Sequence, residues 1–398
     1  MTAVHQPPKT SVLRARLAVT VLFLANGNAI GLWAASIAPI KLEFDLSDFQ
    51  LSMVLLAFAV GAILTMTVTG HIQARFGSAR VALWSSLVFA VVLPLPGLMP
   101  NLGTLALAIL VFGGCNGAMD VAMNGHGAVV ERLHGRPIMS SFHAAFSLGC
   151  LLGSGAGRFI LAAGYGPLAT MGAACAFALV LILGFSTSLS VPDEGSAEPP
   201  VGFAWPSRGV LLVGGLCFLC MFAEGAIAEW SGVYLVSAAA ATTSVATSGY
   251  TGFAFAMTIG RMLGDRIVHA LGAARVVTLG AAIAAVGIAL TLAVPRVEIA
   301  MIGYALAGIG IANIVPVLFS AGGNSVVGHP GVGVAMAATC GYAGFLLSPP
   351  LIGVFAEVFS LRVSLISLAL ALGIVALGAR PVLARGARPS LDSPRPQR

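Results

Sequence analysis

Charged residues are scarce in this sequence. Only 9% of its 398 residues are Asp, Glu, Lys or Arg, whereas 58% are apolar. Soluble proteins carry about a quarter charged residues, so the shortage argues against an ordinary soluble domain. The mean hydropathy of +0.98 points the same way. The composition therefore predicts a protein that lies in a lipid bilayer.

Motifs for several kinds of chemistry are also missing. The sequence has no Walker A motif, no HExxH motif and no Cys/His spacing typical of a metal site. Its six cysteines all fall in apolar segments, where a cysteine packs as a small hydrophobic residue. Cys217 and Cys220 have CxxC spacing without a polar partner, and we expect them to pack too. No cofactor, no metal and no direct use of ATP are therefore expected.

Long apolar stretches occupy most of the chain. A helix needs roughly 20 apolar residues to cross the hydrocarbon core, and Gly- and Ala-rich runs of this length favour helices over barrel strands. The sequence predicts an all-α membrane protein with twelve spans, at about 17–40, 49–70, 80–99, 103–127, 137–160, 166–189, 209–237, 246–264, 274–294, 298–322, 331–356 and 361–380.

The basic residues predict the orientation of these spans. With the N-terminus in the cytoplasm, sixteen basic residues lie on the cytoplasmic side and four on the outer side. The sixteen include Arg261, and the four are Lys41, Arg158, Arg296 and Arg362. This bias is the positive-inside rule, so both termini are expected in the cytoplasm. It also accounts for the net charge of +6 without nucleic acid. The excess of Arg over Lys suggests a GC-rich bacterial genome, and hence the inner membrane.

The twelve spans form two sets of six. Residues 190–208, rich in proline and acids, read as a cytoplasmic linker. A shift of 195 residues places GSARV at 77–81 on GAARV at 272–276, and SLGCLLGS at 147–154 on YAGFLLSP at 342–349. We expect an N-terminal tail (1–16), two pseudo-symmetric six-helix bundles (17–189 and 209–380), the linker and a basic tail (381–398).

The loop GHIQARFGSAR at 70–80 resembles a motif of major facilitator transporters, Gly-x-x-x-Asp-Arg-x-Gly-Arg-basic. Ala74 stands where that family has an acid, and a looser second copy, GRMLGDRIVHALGAAR, occupies residues 260–275. The resemblance implies a cytoplasmic gate formed by these loops, unless the arginines serve topology alone. The matching residues are Gly70, Arg75, Gly77 and Arg80 in the first copy, with Asp265 and Arg266 in the second.

The fourth and fifth spans are similar to the fucose-permease-like branch of that superfamily. The resemblance lies in Asp120 followed four residues later by Asn124, and in His143 within SSFHAAFSLG. It implies a sugar-like substrate. An intramembrane acid is costly and is a functional hypothesis by default. By helix rise, Asp120 and His143 should lie at similar depth, so the three residues could form a proton-relay and solute site, or a structural clasp between helices.

Other polar residues fall inside the remaining spans. Glu224 and Glu229 lie in the seventh span, five residues apart, so they cannot share one helix face. Glu224 lies nearer mid-depth and is expected to face the cavity, although either acid could instead pair with a neighbouring helix. The further candidates for substrate binding are Asn28, Trp33 and Asn313, the last beside a kink expected at Pro316.

Together these features predict a secondary transporter rather than an enzyme. We expect symport of a small polar solute with protons by alternating access, with Asp120 and Glu224 as proton-coupling residues, in a monomer. The alternative is a proton-driven exporter of a drug or metabolite. A polytopic membrane enzyme or receptor is the remote alternative.

The predicted orientation can be checked with alkaline phosphatase fusions, which are active only outside the cytoplasm. A fusion after residue 43 should be active and a fusion after residue 78 inactive. The reverse pattern would overturn the topology.

Overall fold

A computed structural model describes residues 9–135, 138–190, 208–324 and 330–386. Its helices are α1 (Lys9–Glu43), α2 (Asp48–Phe76), α3 (Ser78–Val92), α4 (Leu102–His134), α5 (Met139–Ala162), α6 (Pro167–Phe185), α7 (Arg208–Ala239), α8 (Thr243–Met262), α9 (Gly264–Leu271), α10 (Ala273–Ala293), α11 (Val297–Ile311), α12 (Ile314–Asn324), α13 (Pro330–Val358) and α14 (Leu361–Gly386). Most of the predicted linker and tails lie outside the described residues.

The helices are long enough to cross a bilayer. By length and composition, the described part of the chain has eleven helices able to do so. The predicted eighth span, α8, is not among them because hydroxyl side chains and Arg261 lower its hydropathy. At 20 residues α8 still reaches about 30 Å, the thickness of the hydrocarbon core. The prediction of an all-α membrane fold is confirmed.

The predicted tenth span is broken in two. The break between α11 and α12 falls at Ala312 and Asn313, ahead of the kink expected at Pro316. Proline has no N–H to donate to the carbonyl four residues earlier, which here belongs to Ala312. The helix therefore loses a hydrogen bond at that turn, and regular helix resumes at Ile314.

The two halves repeat each other in three dimensions. α1 packs against α5 as α7 packs against α13, and α2 packs against α4 as α8 packs against α11. Gly113 faces the backbone carbonyl of Phe58 so closely that a Cβ would overlap it, and Gly308 meets Phe253 in the same way. Both residues of the second pair lie 195 positions after those of the first, which is the shift found in the sequence.

Two glycines allow the reversals between helices in the repeated loops. Gly77 joins α2 to α3 with φ at 88°, and Gly272 joins α9 to α10 with φ at 79°. A side chain is strained at such positive φ angles, so glycine is favoured at both. The two positions are again 195 residues apart.

The halves touch each other mainly at one end. We call the end where α1 begins and α14 ends the terminal face, and the opposite end the far face. Near the far face, Arg158 of α5 donates to the Ser248 hydroxyl of α8 over 2.6 Å. The backbone N–H of Phe49 in α2 donates to the Glu357 carboxylate of α13 over 3.2 Å. These contacts join the two bundles at the far face.

Close packing of α1 on α5 gives a stability prediction. A Cβ at Gly153 would overlap the backbone carbonyl oxygen of Asn28, whereas one at Gly155 would meet nothing within 4 Å. Overpacking costs about 1–3 kcal/mol, so Gly153→Ala should lower the unfolding temperature of the purified protein in detergent. Gly155→Ala makes the same chemical change two residues away and should leave it unchanged or higher. Equal effects would mean that the α1–α5 crossing is not tightly constrained.

Candidate substrate cavity

A polar stripe runs along α4 at four-residue spacing. Asn116, Asp120 and Asn124 occupy successive turns of one helix face, and each is partly accessible to solvent. The Asn124 side-chain amide donates to the Asp120 carboxylate over 3.2 Å and to the Asp120 backbone carbonyl over 2.8 Å. Asn26 of α1 donates to the Asn116 side-chain oxygen over 3.0 Å. Asp120 thus has a neutral hydrogen-bond donor as its partner.

An ion pair lies in the second half. Arg261 of α8 approaches the Glu224 carboxylate of α7 to 3.5 Å, and the side chains are 26% and 19% exposed. The same guanidinium donates to the Ser147 hydroxyl of α5 over 2.7 Å. Glu224 therefore pairs with a cation of the neighbouring helix α8, which is the alternative that the sequence left open for it. Arg261, which the sequence analysis counted among the cytoplasmic arginines, turns its side chain into the bundle and bridges the halves.

The two acids lie at one level. Counted from the terminal-face ends of α4 and α7, Asp120 is about 21 Å deep and Glu224 about 24 Å deep. Tyr342 of α13 lies within electrostatic range of both carboxylates, and 45% of it is exposed. These three side chains come from both halves and are all partly accessible to solvent. We take the space between them, near mid-depth, as the candidate substrate cavity.

His143 lies on α5 where this helix packs against α1. Its neighbour Phe23 is one helical turn from Asn26, which donates to Asn116, one turn before Asp120. These contacts are consistent with the expected similar depth of His143 and Asp120. The exposed ring of His143 makes an edge contact with Phe23, 5.2 Å between centroids, and lies within electrostatic range of Arg261. Among the described residues no hydrogen bond joins it to Asp120.

Three other candidates from the sequence are buried. Asn313 is 9% exposed and donates to the backbone carbonyl of Gly260 over 2.9 Å, which anchors the residue just before Arg261. Trp33 is 5% exposed and packs edge-on against Phe112, 5.4 Å between centroids. Asn28 is 5% exposed in the α1–α5 contact.

Glu229 differs from Glu224. One of its carboxylate oxygens is buried and has no hydrogen-bond partner among the described residues. Ser231, two residues later, lines a small internal cavity between α7, α10, α11 and α14. The expectation that the two acids face different surroundings is therefore consistent with their contacts.

The loop residues proposed as a gate are exposed at the terminal face. Arg75, Arg80 and Arg266 all lie on the surface there, and Arg75 stacks over the neighbouring Phe76 ring at 5.4 Å. A Cβ added to Gly70 would meet nothing within 4 Å. The Asp265 side chain lies outside the described residues. In the described structure, these arginines form no ion pair.

Several site residues could have been found in the sequence. Asn116 precedes Asp120 by four residues, the spacing that already linked Asp120 to Asn124. Arg261 lies inside the predicted span 246–264, and an arginine within a span is itself a functional signal. Ser147 and Tyr342 have no such signal, because only tertiary packing brings them to the site.

Similar proteins cover nearly the whole chain. An uncharacterized MFS-type transporter of Yersinia pestis is 37% identical over 383 residues, which span 96% of this chain and 99% of that protein. The membrane protein MosC of Rhizobium meliloti is 33% identical over 359 residues, covering 90% of this chain and 87% of that protein. No family model matches the chain.

Solved structures share the fold at low sequence identity. A mutant of the nucleoside transporter NupG superposes with a TM-score of 0.75 at 11% identity, over 92% of this chain and 99% of that one. A bacterial homologue of the human lysosomal transporter Spinster gives 0.71 at 14% identity, over 96% of this chain and 100% of that one. Given this fold and the full-length relative at 37% identity, the chain belongs to the major facilitator superfamily (MFS) of membrane transporters.

Proposed function

We propose that this transporter is a proton-coupled symporter of a small polar, sugar-like solute that works by alternating access. The observation that carries the proposal is the setting of Asp120. This carboxylate lies about 21 Å from the terminal-face end of its helix, and its hydrogen-bond partner is the neutral Asn124. No cation lies within 4.0 Å of it among the described residues.

Proton binding would remove an energetic cost at this position. A charged carboxylate near the middle of a bilayer costs several kcal/mol unless it is paired. Asp120 can lower that cost by taking a proton whenever the cavity admits one. Glu224 is the second proposed proton site, because a proton there would release Arg261 from the ion pair.

The lining of the cavity favours a small polar solute. The accessible side chains are amides, a tyrosine hydroxyl, an imidazole and an ion pair, which together offer donors and acceptors for hydroxyl groups. Tyr342 offers one exposed ring, whereas Trp33 is 5% exposed and Trp230 and Tyr234 are fully buried. A drug exporter would gain from exposed aromatic faces, so the lining gives more support to a sugar-like substrate.

Alternating access requires the contacts between the halves to change. Arg158–Ser248 and Phe49–Glu357 join the halves at the far face. We therefore infer that the cavity opens toward the terminal face. Opening the far face would break both contacts. Arg261 would also lose Ser147, because that hydroxyl belongs to the other half. We infer that Arg261 is a positioning residue whose partners depend on the state of the cavity.

The proposal also includes the orientation of the protein in the membrane and the loops that would close the terminal face. The excess of basic residues at the terminal face supports a cytoplasmic location for this face and both termini, in a bacterial inner membrane. In the alternate state, the loops with Gly70, Arg75, Gly77 and Arg80, and with Asp265 and Arg266, would close that face. Affiliation with the fucose-permease-like branch, the bundle boundaries near residues 190 and 208, and a monomeric state are part of the same proposal.

Asp120→Asn should uncouple transport from protons. The solute would first be chosen by a thermal-shift screen against sugars, organic acids and cationic drugs. In proteoliposomes, a gradient of about one pH unit is worth about 1.4 kcal/mol and supports about tenfold accumulation with one proton. The variant should lose this accumulation, while solute counterflow, which needs no net proton movement, continues.

Glu298→Gln provides the matched control, because Glu298 is an exposed acid in the first turn of α11. It should accumulate solute like the unmodified protein. Proton-driven accumulation in Asp120→Asn would rule out the coupling role of Asp120. If protons moving into the vesicles drive the solute out of them, the exporter is favoured instead.

The Glu224–Arg261 pair should be coupled energetically. Arg261→Gln leaves Glu224 without its cation, and Glu224→Gln leaves Arg261 without its anion, so each single change should lower the unfolding temperature. The double variant should be more stable than the sum of the two losses predicts. Contacting residues typically show coupling of about 0.5–3 kcal/mol, and the partial exposure of this pair favours the lower end. Strictly additive losses would show that the 3.5 Å approach has no energetic role.

A further inference from the structure

A groove lies on the outer surface of the first half, away from the central cavity. It runs between α2 and α3 with α4 as its floor, and its volume is about 690 Å³. Leu64, Ile72 and Phe76 form one wall, and Trp84 and Val88 form the other. All five are more than 40% exposed. The groove is therefore an apolar concavity on the face that meets lipid.

The length of the groove matches one leaflet. Its wall on α2 extends from Gly61 to Phe76, which is about 22 Å by helix rise. One leaflet contributes about 15 Å to the hydrocarbon core, and the remainder reaches the headgroup layer. The groove thus begins near mid-bilayer and ends at the terminal face.

The shape and lining of the groove favour a hydrocarbon chain. The groove is long and narrow, since a volume of about 690 Å³ extends over about 22 Å of helix. Its walls are apolar apart from Arg80 at one end and a few hydroxyl groups. An extended acyl chain has this shape and this chemistry.

Two arginines, Arg75 and Arg80, lie at the terminal-face end of the groove. Arg80 lines it, and Arg75 lies one residue before Phe76. Neither arginine forms an ion pair within the described residues. Position 74, where the related motif has an acid, is occupied by alanine. The charge of this loop is therefore available to an anion from outside the protein.

We propose that the groove binds an anionic phospholipid of the terminal-face leaflet, with its phosphate at Arg80 and one acyl chain along α2, α3 and α4. Arginine presents several N–H donors in a planar fork that matches phosphate oxygens. Basic pockets beside membrane helices recognise lipid head groups in this way. The site is independent of the proposed transport activity, because it lies on the opposite side of α2 and α4 from the cavity.

The test compares phosphatidylglycerol with phosphatidylcholine, added at equal amounts to the purified full-length protein in detergent. A ligand that binds the folded state raises the unfolding temperature. Phosphatidylglycerol should raise it by several degrees more than phosphatidylcholine, and should be retained as a single adduct in native mass spectrometry. Arg80→Gln should remove at least half of the difference between the two lipids.

Matched variants distinguish lipid binding in the groove from a general effect of losing an arginine or adding a tryptophan. Arg275 is also exposed and is the equivalent of Arg80 after the 195-residue shift. In Arg275→Gln, phosphatidylglycerol should therefore still raise the unfolding temperature more than phosphatidylcholine does, by the same amount as in the unmodified protein. Val88→Trp fills the groove and should reduce the difference, whereas Val180→Trp, at another exposed position on α6, should not. Equal stabilisation by the two lipids, equal losses in Arg80→Gln and Arg275→Gln, or an unchanged difference in Val88→Trp would each overturn the proposal.

Discussion

The cost of placing charge in the middle of a bilayer governs the centre of this protein. The second half meets that cost with an ion pair, because Arg261 approaches Glu224 to 3.5 Å. The first half leaves Asp120 with an amide as its partner. One carboxylate is thus held by a fixed cation, while the other can lower its cost only by taking up a proton or a ligand. This difference between two acids at one level supports a division of labour between the halves of a transporter.

The packing of the helices brings the site together. Gly153 lets α5 approach the backbone of α1 at Asn28, so α5 is seated firmly in the first half. The opposite face of α5 then meets α8, where Ser147 accepts a hydrogen bond from Arg261. Asn313 holds the carbonyl of Gly260 on the other side of α8 and thereby fixes the turn that precedes Arg261. The position of one guanidinium therefore depends on backbone packing in both bundles.

The sequence predicts the fold well because lipid imposes simple requirements. Apolar runs of sufficient length and a shared shift of 195 residues are visible without a structure. The depth of a side chain in the membrane and the direction in which it points are harder to predict. An apolar helix such as α1 gives no indication of which side meets the cavity, so Asn28 and Trp33 resembled site residues although both are buried. Arg261 was assigned to topology because a basic residue near a span end serves both purposes.

The repeat constrains the backbone more strongly than the charges. Gly77 and Gly272 adopt the same positive φ, and Gly113 and Gly308 meet equivalent carbonyls, so the two halves share turns and crossings. Their loops nevertheless differ in charge, since Ala74 in the first corresponds to an acidic position in the related motif. Helix reversals and close contacts depend on glycine, whereas an exposed loop tolerates the loss of a carboxylate. Without that acid, Arg75 and Arg80 have no acidic partner among the described residues, and the anionic surface of the membrane can supply the opposite charge. Divergence of this kind lets one half acquire a lipid contact without disturbing the symmetry on which alternating access depends.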